Sequence, residues 1–345
     1  MLNTILGSFS SGAPLLINYA VAVAHDNSPY ITVYDFEKTA GFGTKYSDPA
    51  SLPGGNGTDV EFNKAKNVIA VTHVGTPYIA AYAWSNITGF GSKFSNPGTL
   101  PTGTGLGVSF NNNDTAVAVA HASSPRITAY PWDNSTGFGT KYSNPATLPT
   151  GDAEKTEFNP SGNALAVVHG STPFVTVYAW SSGFGTKYAN PASLPATYGV
   201  TVAWSPSGND IAVGAAGSPY INVYPWSAGF GTKYSNPATL PGGTVRGVTF
   251  NQAGNTLFVA SDNSPYILVY PWSAGFGTKY ADPATLPTAA SAGATISEND
   301  DIYIAGQQTS PYINAYAFAS GFGTKYSNPA TLPTGLARSV TMIKK

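Results

Sequence analysis

Cysteine is absent from the 345-residue chain, which excludes a disulfide framework and any thiolate-held metal. Charge is also scarce. Asp, Glu, Lys and Arg make up 10% of the residues and the formal net charge is −1, against roughly 25% charged residues in an ordinary soluble chain. With no basic excess there is no electrostatic footprint for nucleic acid or for an anionic membrane surface. No uncharged apolar run reaches the roughly 18 residues of a transmembrane helix, so no membrane insertion is expected. The first residues, MLNTILGSFSSGAPLLINYAV, lack the basic region that opens a signal peptide.

What the chain has instead is one phrase. GFGTKYSNPATLP begins at Gly137 and returns almost unchanged at Gly229 and Gly321, with close variants at Gly41, Gly89, Gly183 and Gly275. The seven copies are spaced by 48, 48, 46, 46, 46 and 46 residues. Self-similarity at such a period marks a repeat architecture. Each repeat holds four short runs rich in β-branched and aromatic residues, separated by Pro, Gly, Ser and Asn, and none carries a helical period. In the stretch Thr201 to Pro241 these are TVAWS, DIAVGAA, SPYINVYPW and SAGFGTKYSNPATLP, with the turn PSGN after the first. Four strands in about 40–50 residues is the pattern of a propeller blade.

Spacing locates the one change of length. From each glycine anchor to the next strand-opening Pro (Pro77, Pro125, Pro311) there are always 36 residues, whereas Pro to glycine is 12 in the first three repeats and 10 in the last four. The variation therefore sits in the turn between third and fourth strands. The chain joins the repeat at a second strand, YAVAVAH (Tyr19 to His25), and ends with a lone first strand, ARSVTMI (Ala337 to Ile343), whose Met342 keeps the register of Ile296 and Phe250. A terminal strand that completes the blade begun at the other end closes a ring and removes two open edges. The expected fold is all-β: a seven-bladed β-propeller of four-stranded antiparallel blades over residues 19–345, preceded by an extension at 1–18. An open β-solenoid would need polar capping repeats, and none is visible.

The turns NPSGN (Asn159 to Asn163) and SPSGN (Ser205 to Asn209), and VYPW at Val223 to Trp226 and Val269 to Trp272, resemble the WD-like propeller repeats of tailed-bacteriophage proteins. The His and Asp of the buried hydrogen-bonded set in WD repeats proper are missing. The resemblance implies a non-enzymatic structural role on capsid or tail, location in the virion, and neighbouring virion proteins as partners.

Connectivity puts the second-to-third loops and the NPATLP links on one face and the other turns on the opposite face. Tyr30, Tyr78, Tyr220, Tyr266 and Tyr312 follow the recurrent Pro on the first face, with Arg126 and Phe174 completing that ring. Aromatic side chains there can stack on sugars or anchor a partner, or pack between blades, which is the favoured reading. His25, His73, His121 and His169 share one position, held later by Ala215, Ser261 and Gln307. They are expected several strand spacings apart, too far for one metal ion. Lys45, Lys93, Lys141, Lys187, Lys233, Lys279 and Lys325 fit protection of exposed edges. The inner strands are least uniform: Asp59, Glu61, Glu154, Lys155, Glu157, Arg246 and Arg338 stand where other repeats have Gly, Ser or Thr. The favoured reading is solvated channel charges that partly neutralise one another, with no nucleophile–base–orienter set. The N-x-S/T triplets at Asn56, Asn86, Asn113 and Asn134 read as turns. In the extension, Leu2, Ile5, Leu6 and Phe9 form a candidate anchor for another protein.

Loops that are near copies of one another argue against an enzyme. The sequence expectation is therefore a virion structural or decoration protein with no catalytic, cofactor-binding or metal-binding residues. The alternative is a multivalent glycan-binding propeller using the Tyr ring.

Overall fold

The computed structural model describes residues 18–345. The candidate anchor residues Leu2, Ile5, Leu6 and Phe9 lie outside the described residues. The described chain forms twenty-six strands in seven antiparallel sheets, each sheet one blade. Blade 2 shows the plan: an inner strand Gly57–Phe62, then Val68–His73, Ile79–Ser85 and the outer Gly89–Lys93. In the fifth and sixth blades the outer pairing shrinks to single bridges, Trp226 to Phe230 and Trp272 to Phe276. The third strand extends to Glu37, Ser85 and Asp133 in the first three blades, and ends by Trp180, Pro225, Pro271 and Phe318 in the others. The two-residue insertion thus lengthens one hairpin. No helix of the described residues is long and apolar enough to cross a membrane.

Composition follows position in the blade. A second strand has sheet neighbours on both sides and other blades above and below, so both faces are dry. VIAVTH at Val68–His73 is buried at every residue. Inner strands bury one face and turn the other to the central channel, so GTDVEF alternates.

The recurrent aromatics join blade to blade. The Tyr that ends GFGTKY meets edge-on the aromatic that ends the next blade's third strand: Tyr46 lies 5.0 Å from Trp84, Tyr188 5.0 Å from Trp226, and Tyr326 5.1 Å from Phe36 across the closure. Such pairs contribute about 0.5–1.5 kcal/mol each beyond area burial. A second Tyr, inside the third strand, bonds back to the link before its blade. Tyr82 Oη donates to the Ser51 carbonyl and Tyr130 Oη to that of Thr99, at 2.8 and 2.7 Å. The phrase recurs because it forms the interface between blades.

Closure is as expected. Ala337–Lys344 pairs antiparallel with Asn18–His25, from Tyr19 opposite Lys344 to His25 opposite Ala337. This blade has no first-to-second turn, and side chains bridge the gap. Lys66 Nζ of blade 2 lies 2.6 Å from Glu298 of blade 7, which also accepts the Lys344 backbone N–H at 2.9 Å.

Candidate functional site

The seven inner strands enclose a cavity of about 340 Å³ along the ring axis, within the size range of small-molecule sites. A β-bulge shifts the register near the start of the inner strands, between Gly57 and Asp59, between Ala153 and Lys155, and at the matching place in their neighbours. Bulges re-aim side chains and are over-represented beside active sites. Beyond the bulge, residues two apart share the channel face: Asp59 with Glu61 on blade 2, Lys155 with Glu157 on blade 4.

Lys155 forms an ion pair with Asp59, although blade 3 stands between them. The matching residue of blade 3 is Gly107, where a Cβ would lie 2.8 Å from the Lys155 Cα. The missing side chain lets the Lys155 stem pass close and reach two blades away. Asp59 is 1% exposed and its other oxygen accepts the Val108 N–H at 2.9 Å. Glu61 accepts the Phe110 N–H at 3.1 Å. Both carboxylates therefore also satisfy backbone donors on the edge of the next inner strand, which would otherwise be orphaned.

The three glutamates along the channel do not titrate like solvated carboxyls. Burial raises Glu157 to about 8, opposed by the Lys155 ammonium and by a hydrogen bond from the Trp204 backbone N–H. Burial, reinforced by Asp59, also holds Glu61 well above the ordinary carboxylate range. Glu154 is raised by burial and by Asp152. The channel charges do partly neutralise one another, as Lys155 does Asp59, but the expectation that they are solvated is corrected for Asp59, which is buried. Burial likewise pushes Glu157 toward its protonated form.

Two guanidinium groups line the mouth. Arg246 grips Asp262 bidentately, Nη2 to Oδ2 at 2.9 Å. Arg338 grips Asp26 at 3.1 and 3.0 Å. These partners were missed in the sequence, yet a signal was there: in the seven repeats, Asp occupies the position of Asp26 and Asp262 only where the inner strand carries Arg.

The other candidate residues lie away from the channel. Tyr30, Tyr78, Tyr220, Tyr266 and Tyr312 are half-buried, each just after a cis X-Pro bond and each at φ between 66° and 72°. Arg126 lies 3.6 Å from Asp152. His25, His121 and His169 are buried at 0% exposure, with Nε2 2.8–2.9 Å from Thr32, Thr128 and Thr176. In blade 7 the same couple is Gln307 with Asn314 at 2.7 Å. In blade 2 Ala80 stands at the position of those threonines, and neither ring nitrogen of His73 has a hydrogen-bond partner. The outer lysines reach the Asn or Asp three residues on, as Lys93 does to Asn96 at 2.9 Å. Among the described residues, no group of three or more His, Asp or Glu is placed to hold a metal ion.

No protein-family model matches this sequence, and neither does any curated protein. Its fold is shared by solved structures at low identity. A candidate 6-phosphogluconolactonase from Bacteroides fragilis superposes with TM-score 0.72 at 11% identity, over 94% of this chain and 98% of that one. The periplasmic gluconolactonase of Pseudomonas aeruginosa gives 0.69 at 13%, over 94% and 99%. The β-propeller domain of Cps50 (Swd1) from Myceliophteria thermophila gives 0.56 at 13%, over 80% and 88%. The propeller fold and its WD-like kinship of shape stand.

The neighbours overturn the expectation of a non-enzymatic virion component, with glycan attachment as its alternative. Propellers named as lactonases match this chain along nearly their whole length, and none of the three structures points to a phage. The argument from copied loops failed for a physical reason. The copied phrase serves the blade interfaces, whereas the divergent residues converge on the channel.

Proposed function

We propose that this protein hydrolyses small cyclic esters, lactones, inside the central channel. The observation that carries the reading is the couple on one strand of blade 4: Glu157, whose carboxyl burial pushes toward its protonated form, two residues from an ammonium fixed in place, Lys155. The lactonase names borne by proteins of the same fold support it.

The chemistry asked of the site is modest. A water molecule attacks the acyl carbon, and Lys155 donates an N–H not engaged by Asp59 to the oxyanion that develops on the carbonyl. As the bond from acyl carbon to ring oxygen breaks, Glu157 gives its proton to that oxygen, which leaves as a hydroxyl. The attacking water loses its proton to channel water, and Glu157 is reprotonated from the same source. The products are a hydroxy acid and a regenerated site.

The test is pH-stat hydrolysis of glucono-1,5-lactone, corrected for the spontaneous rate. Glu157→Gln keeps the shape but removes the proton, and a general acid typically contributes 10²–10⁴-fold, so kcat falls by about that factor. No protein-dependent hydrolysis, or a Glu157→Gln variant as active as the parent, refutes the proposal.

A further inference from the structure

The charge pattern of the channel narrows the substrate class of the site just proposed, and rests on that site being where substrate binds. A phosphorylated ligand brings nearly two negative charges at neutral pH and needs uncommitted cations, most often arginine forks. Among the described residues the channel lining has three cations, and each already has a carboxylate partner. Lys155 is paired with Asp59, Arg246 with Asp262 through two hydrogen bonds, and Arg338 with Asp26 through two more.

The remaining lining carries no compensating positive charge. Glu61, Glu154 and Glu157 lie along the same walls. The positions matching Glu61 and Glu157 on other blades are Ser109, Thr249, Thr295 and Thr341, with Ala203 on blade 5; the four hydroxyls are neutral and suited to donate to and accept from sugar hydroxyls. A site whose cations are each matched by a carboxylate, and whose other polar groups are carboxyls and hydroxyls, offers an anion no net positive charge and solvates a polyol. We infer that the channel takes uncharged polyhydroxy lactones and rejects their phosphorylated counterparts.

Binding separates this inference from the proposed reaction. The full chain is titrated, with ligand-observed NMR as readout, with the lactam of gluconic acid (a ring that cannot hydrolyse), its 6-phosphate, and inorganic phosphate. The expected result is at least tenfold tighter binding of the uncharged lactam than of its phosphate, and no saturable binding of inorganic phosphate. In Asp262→Asn, which frees one guanidinium, the ratio of anionic to uncharged affinity rises about tenfold, the size expected when one opposing charge is removed from a partly buried site. Asp26→Asn does the same from the closing strand and serves if the first variant unfolds. Equal or tighter binding of the phosphorylated lactam by the parent protein overturns the inference, as does binding of neither ring. Selective binding of the uncharged lactam without hydrolysis of the lactone leaves this inference standing and removes the proposed reaction.

Discussion

Lys155 and Asp59 form an ion pair across a blade to which neither belongs. Ninety-six residues separate them, and what allows the pair is a hydrogen atom in place of a side chain at Gly107. Blades 2, 3 and 4 are thereby tied at the channel wall by charge as well as by packing. The tie fixes the ammonium that the proposed reaction uses.

Removing one partner should show how far the tie matters. Lys155→Met leaves Asp59 as an uncompensated carboxylate in a buried position. Breaking such a pair costs about 3–5 kcal/mol when both groups are buried. Lys155 is 28% exposed, so roughly 2–3 kcal/mol is expected here in denaturant unfolding. Adding Asp59→Asn to Lys155→Met should recover more than half of the loss. Strict additivity of the two changes would mean that the residues are not coupled.

Stability should respond to pH with two opposed slopes. Burial lowers His73, His121 and His169 to about 4, below the 6.5 of an unfolded chain. Between those values the unfolded state binds protons that the native state refuses, so stability rises with pH up to about 6.5. Glu157 works the other way. Its native value of about 8 exceeds the 4.5 of the unfolded chain, so the native state holds an extra proton across that window and stability falls as pH rises through it. The expected melting-temperature profile peaks near pH 6.5, and Glu157→Gln makes the limb from there to pH 8 shallower, with Glu61 still contributing to it. A variant with the parent's alkaline limb would show that Glu157 ionises normally.

His73 offers a gain of stability. Its counterparts reach a Thr hydroxyl at 2.8–2.9 Å, while His73, with Ala80 at the position of those threonines, has both nitrogens unpartnered. Ala80→Thr recreates the hydroxyl found in three other blades. A net hydrogen bond is worth about 0.5–1.5 kcal/mol, and relieving a buried unsatisfied ring nitrogen places the expected increase in unfolding free energy in that range. A loss of stability on Ala80→Thr would indicate that blade 2 has no room for the branch.

Truncation tests the closure. Deleting residues 337–345 strips the inner strand from the first blade, exposes the Asn18–His25 edge and removes buried Ala337, Val340, Met342 and Ile343. Loss of a single cooperative thermal transition and aggregation on heating are the expected outcomes. A melting curve like the parent's would mean that the ring holds without its terminal strand.

The sequence by itself determined the blade, the number of blades, the place of the inserted residues and the strand that shuts the ring. These are local or periodic properties. Strand and turn chemistry is written within about 48 residues, and a change of length shows as a change of phase. The tertiary structure decided what the channel residues do. Each blade contributes a single strand to the axis, so Asp59, Lys155 and Glu157 become neighbours only when the ring closes at a fixed radius. Whether a charge there is solvated or enclosed depends on the gap that Gly107 leaves, which has no period and no local signature. The match of Arg246 to Asp262 and of Arg338 to Asp26 was legible as a coincidence of composition. Its meaning as a pair came from the bulged inner strand, which turns each guanidinium toward the loop beside it.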